Sequence, residues 1–310
     1  MSHFSVLVVT KEEPSQELLE AVLMPWHEYE CTGIRQYLEK VDITKDVEKF
    51  LDEDIWVGKD ALRNIAWRYS EPPSEPLAKP ADITDGPVSE ITKMKMRDTV
   101  GMKIANTGQD LLEKLMTAEF GELISEDGKY YDETNPNAKW DWWVVGGRWG
   151  NFLLDKDGIY CDSLQKSRLD KDTMQKLVYS KAVEEYAKAK EVIKNRPVKS
   201  WPQMVASYDD IKDARAAYHA QEVIKDFANE FGPFADVENY LKSEEEFIAG
   251  EIKQWLCTFA VVYNGTWNER GSMGWFGCVK DESASWPDDF EKLYSEIPDD
   301  YYLTVVDCHI

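Results

Sequence analysis

No stretch of this chain approaches the ~18 to 20 consecutive apolar residues a helix needs to cross a bilayer, so no membrane association is expected. The opening MSHFSVLVVTKEEP likewise lacks a basic segment followed by a long apolar one and a cleavage site, and the reading is a cytoplasmic protein. The five cysteines, Cys31, Cys161, Cys257, Cys278 and Cys308, are odd in number, far apart and form no CxxC pair. That argues against a disulfide framework or a zinc knuckle and for free thiols. Nor do the four histidines, His3, His27, His219 and His309, show HxH, HExxH or HxxxH spacing. With no GxSxG, GxGxxG or GxxxxGKS and no tight carboxylate cluster, no motif calls for a cofactor or a metal, and the absences point away from catalysis.

Positive charge is the other shortage. Against 59 Asp and Glu stand only 36 Lys and Arg, a formal net charge of −23. Such a field repels nucleic acid, so direct nucleic-acid binding is not expected, and it steers basic surfaces inward over a Debye length of ~8 Å at physiological salt. What is present in quantity is apolar: 310 residues, 43% hydrophobic and 12% aromatic, are enough for one large core or two modest ones.

Along the chain, Phe4 to Thr10 (FSVLVVT) and Tyr301 to Ile310 (YYLTVVDCHI) are short β-branched runs, two candidate strands of one sheet. Pro72, Pro73, Pro76, Pro80 and Pro87 mark an extended linker or surface loop. Residues from Gln109 to Phe120 fit a helix stopped by Gly121. From about Tyr179 to Arg196 and from about Asp209 to Phe231 the Ala, Glu and Lys content predicts an αα-hairpin, its stripe formed by Val183, Tyr186, Ala187, Val192 and Ile193 against Ile211, Ala214, Tyr218, Val223 and Phe227. Asn264-Gly265 between apolar runs predicts a type I′ hairpin, a second glycine cluster follows at Gly271, Gly274 and Gly277, and a short helix is expected from about Asp288 to Glu296. The fold class is therefore α+β: a mixed or antiparallel sheet from N-terminal, central and C-terminal strands, with an inserted αα-hairpin. The expected divisions are 1–70, a proline-rich 71–88, a β-rich 89–171, a helical 172–253 and a β-rich 254–310.

The central phrase KWDWWVVGGRWG (Lys139 to Gly150) crowds large rings beside glycines. As a strand it places Trp140, Trp142 and Val144 on one face and Asp141, Trp143 and Val145 on the other. Gly146-Gly147 then turns the chain toward a second strand from Arg148 to Leu154, and DKDG at 155–158 makes the next turn. On this reading Trp140, Trp142, Trp143, Gly146, Gly147 and Trp149 are structural core. The rival is an anion loop, in which backbone N–H groups at Gly146-Gly147 and the Arg148 guanidinium receive a phosphate. Asp307 and His309 are two apart on one strand face and supply a candidate acid–base pair, although chain ends fray; His27 beside Glu28 is the weaker candidate. Together these residues describe an alternative: a small-molecule or nucleotide-binding enzyme using Gly146, Gly147, Arg148, Asp307 and His309.

Four phrases, SHFSVLVV, NPNAKWDWWVVGGRW, GSMGWFG and LTVVDCHI, resemble a family of proteins encoded largely by phages and prophages, in which comparable phrases occur in the same order. The likeness runs in patches and leaves out 72–87 and 172–231. Within that context the chain is similar in size, acidity and lack of enzymatic motifs to the Gabija anti-defence protein 1 family. The resemblance implies a protein that binds the Gabija nuclease-helicase defence complex and blocks its action on DNA by occupation, and it carries over no contact residue; the protein is expected to be oligomeric and to need no cofactor. An acidic surface suits such a target, because a nuclease presents basic groups to DNA. Asp281, Glu282, Asp288, Asp289, Glu291, Glu296, Asp299 and Asp300 form the densest acidic stretch, and Glu244, Glu245 and Glu246 a second; these are the candidate partner-binding residues.

Overall fold

The computed structural model describes residues 2–29, 34–60, 63–67, 90–102, 109–121, 123–232, 235–273 and 279–310. The proline-rich segment 71–88 and the Gly274 and Gly277 positions lie outside them. The fold is α+β, in two compact units: Met1–Pro25 with Lys139–Ile310, and Trp26–Ala138. The chain thus divides at 25/26 and 138/139. No helix among the described residues is long and apolar enough to cross a membrane.

The unit formed by 26–138 carries two small antiparallel sheets: Glu39–Asp42, Lys129–Thr134 and Ile124–Glu126, and Asp54–Asp60 flanked by Arg63–Trp67 and Glu90–Lys95. Its helix Leu111–Phe120 follows the sequence expectation closely. Asp110 caps its start by accepting from the N–H groups of Leu112 and Glu113, and Gly121 ends it at φ +71°.

In the larger unit the elements are β1 (His3–Thr10), α1 (Gln16–Leu23), β2 (Trp142–Val145), β3 (Leu153–Leu154), β4 (Tyr160–Cys161), β5 (Ser163–Gln165), α2 (Lys171–Ile193), α3 (Trp201–Val205), α4 (Ile211–Ala220), α5 (Glu222–Phe231), α6 (Glu244–Lys253), β6 (Ala260–Tyr263), β7 (Thr266–Glu269), β8 (Ser272–Met273), β9 (Val279–Lys280), α7 (Trp286–Glu296) and β10 (Tyr302–His309). The main sheet has the order β5-β10-β1-β6-β7, with β2 also on β10. β1 runs antiparallel to β10 and parallel to β6, so the sheet is mixed, and the two terminal strands do lie side by side. The β6–β7 hairpin turns on Asn264 (φ +51°) and Gly265 (φ +70°), the pair of positive angles a type I′ turn requires.

Because side chains alternate, one face of this sheet carries Leu7, Val9, Val261, Leu303 and Val305, which pack with Leu153, Leu154, Met174, Leu256 and Phe290 into the main core. Each fully buried Val or Leu there stabilises the fold by roughly 1.5–3 kcal/mol. Continued along β1 and β10 toward the chain ends, the same face changes character: the next positions are Ser5 and His3, Asp307 and His309.

Two expectations are corrected. The Trp-Gly phrase is not a hairpin running from 142 to 154. β2 pairs with β10, Gly147–Trp149 form a 3-10 turn, and β3 pairs instead with β4 across the 155–158 turn. Among its expected core residues Trp140 and Gly146 are buried, Trp143 and Trp149 half-buried, and Trp142 and Gly147 exposed. The αα-hairpin is likewise replaced by α2 to α6. α2 starts at Lys171 because Asp170 caps it through the Thr173 N–H. The second expected helix breaks at Gln221, whose side-chain amide both accepts from Lys199 N (2.9 Å) and donates to Lys199 O (3.0 Å), holding its backbone extended at ψ 128°. Tyr186, Ile193, Val223 and Phe227 are buried as the stripe predicts, whereas Ile211 and Ala187 are exposed.

Candidate functional site

The site grows from the register of the two terminal strands. Ser2 and Ile310 exchange backbone hydrogen bonds at 2.9 and 3.0 Å, so the next pair, His3 opposite His309, falls in a non-hydrogen-bonded position where side chains stand closest. The imidazoles meet edge to face, centroids 4.9 Å apart. Ser5 stands opposite Asp307, and on the other side of β10 Trp142 stands opposite His309. The Trp142 ring stacks on the His309 ring at 5.1 Å and 16°, and meets His3 edge-on at 5.2 Å.

Each imidazole is tied by Nδ1 to a carboxylate, in a crossed arrangement. His3 Nδ1 lies 2.9 Å from Asp307 Oδ1, and His309 Nδ1 lies 2.7 Å from Asp141 Oδ1. An ionised carboxylate only accepts, so both rings carry their proton on Nδ1 when neutral and present Nε2 as the acceptor. The sequence paired Asp307 with His309 on one strand face. They do share that face, but Asp307 serves the neighbouring strand's histidine instead. The chain end is not frayed: His309 is 4% exposed and Asp307 2%. His3 opens onto a cleft of about 470 Å³, also lined by Trp149, Gln254, Phe259, Arg270 and Glu282. In the other unit His27 is buried edge-to-face with Tyr29.

The glycines now have a physical reason. At Gly146 (φ +70°) a Cβ would lie 2.6 Å from the Asp162 carboxyl, and at Gly147 (φ +53°) 2.5 Å from the Asp307 side chain. Both positions need glycine for backbone angle and for space. The two aspartates press against the turn because they accept from it: Asp307 Oδ2 takes the Arg148 N–H at 3.0 Å, and Asp162 takes the Asn151 N–H. The anion-loop expectation is thereby corrected. The turn is a nest for carboxylates, but they are the protein's own, and the exposed Arg148 contributes its backbone, not its guanidinium.

No family model, curated protein or solved structure matches this chain.

Gly146, Gly147, Arg148, Asp307 and His309, drawn from two distant segments, are thus brought together by the β2–β10 pairing. The sequence reading gave His3, Asp141 and Asp162 no role in this cluster. The signal for His3 was available: antiparallel terminal strands that pair His3 with His309 also pair Ser5 with Asp307.

The acidic candidates are placed differently. Glu244, Glu245, Glu246, Asp281, Glu282, Asp288, Asp289, Glu296, Asp299 and Asp300 are exposed, and Glu291 is half-buried. Many serve the fold. Glu246 closes a capping box with Ser243, Asp288 pairs with Lys253 at 2.7 Å, Glu282 pairs with Arg270, Glu291 with Lys171, and Asp289 accepts from Ser285. Burial pushes the Cys257 thiol up to about 12 and the Cys308 thiol well above its ordinary value, which disfavours the thiolate at both.

Proposed function

We propose that this protein is a small-molecule enzyme whose acid–base group is the imidazole of His3, held by Asp307 at the mouth of the cleft. The observation that carries the reading is the crossed pair of His–Asp contacts, His3–Asp307 and His309–Asp141, with the imidazoles 4.9 Å apart at one end of the sheet. Burying the His309 imidazole and the Asp307 carboxylate costs free energy that apolar residues would not. An imidazole fixed through Nδ1 and lining a ligand-sized cleft is an arrangement suited to general acid–base catalysis. The test is a thermal-shift screen of the wild-type chain and His3→Gln against nucleotides, sugar phosphates and small carboxylic acids. A ligand that raises Tm in the wild type and not in the variant supports the reading. No shift with any compound, and no change in the imidazole signals on adding them, would contradict it.

A second reading follows from the resemblance: an oligomeric anti-defence protein in the host cytoplasm that blocks the Gabija nuclease-helicase complex by stoichiometric contact. What favours it is charge, a net −23 with acidic side chains exposed on α6, on α7 and beside it. Phage plating on cells carrying a Gabija system, with and without this protein, tests it together with copurification. Rescue with a stable, salt-sensitive complex supports the contact; no rescue and no complex removes it.

A further inference from the structure

We infer that the cleft beside His3 takes a small phosphodiester carrying an aromatic base, and that His3 shuttles the proton in its hydrolysis. The inference rests on the acid–base reading above and names its substrate class. The cleft, about 470 Å³, joins the His3 imidazole and the Arg270 guanidinium to the aromatic side chains of Trp149 and Phe259. Glu282 engages Nε and Nη2 of Arg270, and a guanidinium has donors beyond those for a phosphoryl oxygen. Half-buried Trp149 offers a surface on which a base can stack. The volume suits one small molecule and not a duplex, which the net charge of −23 also repels.

Acyl transfer is the main competing chemistry, and it needs backbone N–H groups aimed at a developing oxyanion. Three described N–H groups near this site are committed to the protein's own acceptors. Arg148 N–H goes to Asp307, Asn151 N–H to Asp162 and Phe259 N–H to the Ser5 hydroxyl at 3.2 Å. A phosphoryl centre carries its negative charge on oxygens that cationic side chains stabilise, and so needs no such hole. In the step, His3 Nε2 takes a proton from water as the water oxygen bonds to phosphorus. The ester P–O bond then breaks with its electron pair on the leaving oxygen, and His3 returns the proton there. The products are a phosphomonoester and an alcohol, with no change of oxidation state.

The experiment uses the full chain with cyclic AMP and bis-nitrophenyl phosphate as phosphodiesters, nitrophenyl acetate as the acyl substrate and inorganic phosphate as a competitor. Expected are turnover of a phosphodiester, competitive inhibition by phosphate, a fall in kcat of roughly 10²- to 10⁴-fold in His3→Gln with KM little changed, and a raised KM in Arg270→Gln. Phosphate inhibition is read on the wild type and does not depend on the variants folding. Turnover of the acetate alone, dependent on His3, would overturn the phosphodiester assignment and leave the acid–base reading standing. Phosphodiester turnover untouched in a folded His3→Gln would overturn the role of His3. No turnover of any substrate, with no shift of Tm by cyclic AMP or phosphate, would overturn both.

Discussion

Replacing Gly147 by alanine separates two costs that the structure predicts in sequence. The first is conformational: φ +53° is left-handed backbone, which costs an L-residue roughly 1–2 kcal/mol. The second is steric, because the new Cβ would stand 2.5 Å from Asp307 Cβ and Oδ2, well inside contact distance. Asp307 then moves and weakens its hydrogen bonds to Arg148 N–H and His3, each of the charge-assisted kind worth about 1.5–3 kcal/mol. With about half of that hydrogen-bond energy lost, the total is about 2.5–5 kcal/mol. Gly158 supplies the control, with φ +81° and no atom within 4 Å of an added Cβ, so Gly158→Ala bears only the backbone cost of roughly 1–2 kcal/mol. Urea unfolding of both variants gives the comparison as a change in midpoint at unchanged slope, and melting should fall by about 2–4 °C per kcal/mol for a unit of this size. Equal losses in the two variants would refute the claim that Gly147 is glycine for the sake of Asp307.

Asp307→Asn keeps the shape but removes the charge that fixes the His3 tautomer, and should lower any His3-dependent turnover by more than it lowers stability; a pH–rate profile on the folded variant checks it. Cys257 and Cys308 should resist alkylation at neutral pH, since burial keeps their thiols protonated, the former up to about 12; rapid labelling of the native chain would count against the packing. Burial, with Glu291 and Asp299 adding, raises Tyr294 to about 12. A phenol raised above its unfolded value near 10 contributes stability fully below pH ~10 and loses it as pH climbs toward about 12, so Tyr294→Phe should flatten part of the alkaline decline in Tm.

Much of the fold is legible in the sequence because local chemistry decides it. The Asn264-Gly265 turn, the short terminal strands and the helix ending at Gly121 each follow from residues a few positions apart. The Trp-Gly phrase misleads because the partner of Trp142–Val145 is not the next apolar run but β10, more than 150 residues on, and no local pattern announces that pairing. Gln221 misleads for a similar reason: a good helix former is drawn out of the helix by the backbone of Lys199. The site is half legible. Asp307, His309 and the glycines stand out by residue type, but their roles depend on which strand lies beside which, and it is the register that gives Asp307 to His3 and Asp141 to His309.

The proposed chemistry depends on the state of those two rings, and nitrogen-15 NMR of the imidazoles in the native chain measures it directly. The predicted result is the Nδ1–H tautomer for both His3 and His309 in their neutral forms, with the Nε2 resonance of His3 moving on addition of cyclic AMP or inorganic phosphate. An Nε2–H tautomer at His3, or an Nε2 signal indifferent to every ligand tried, would contradict it.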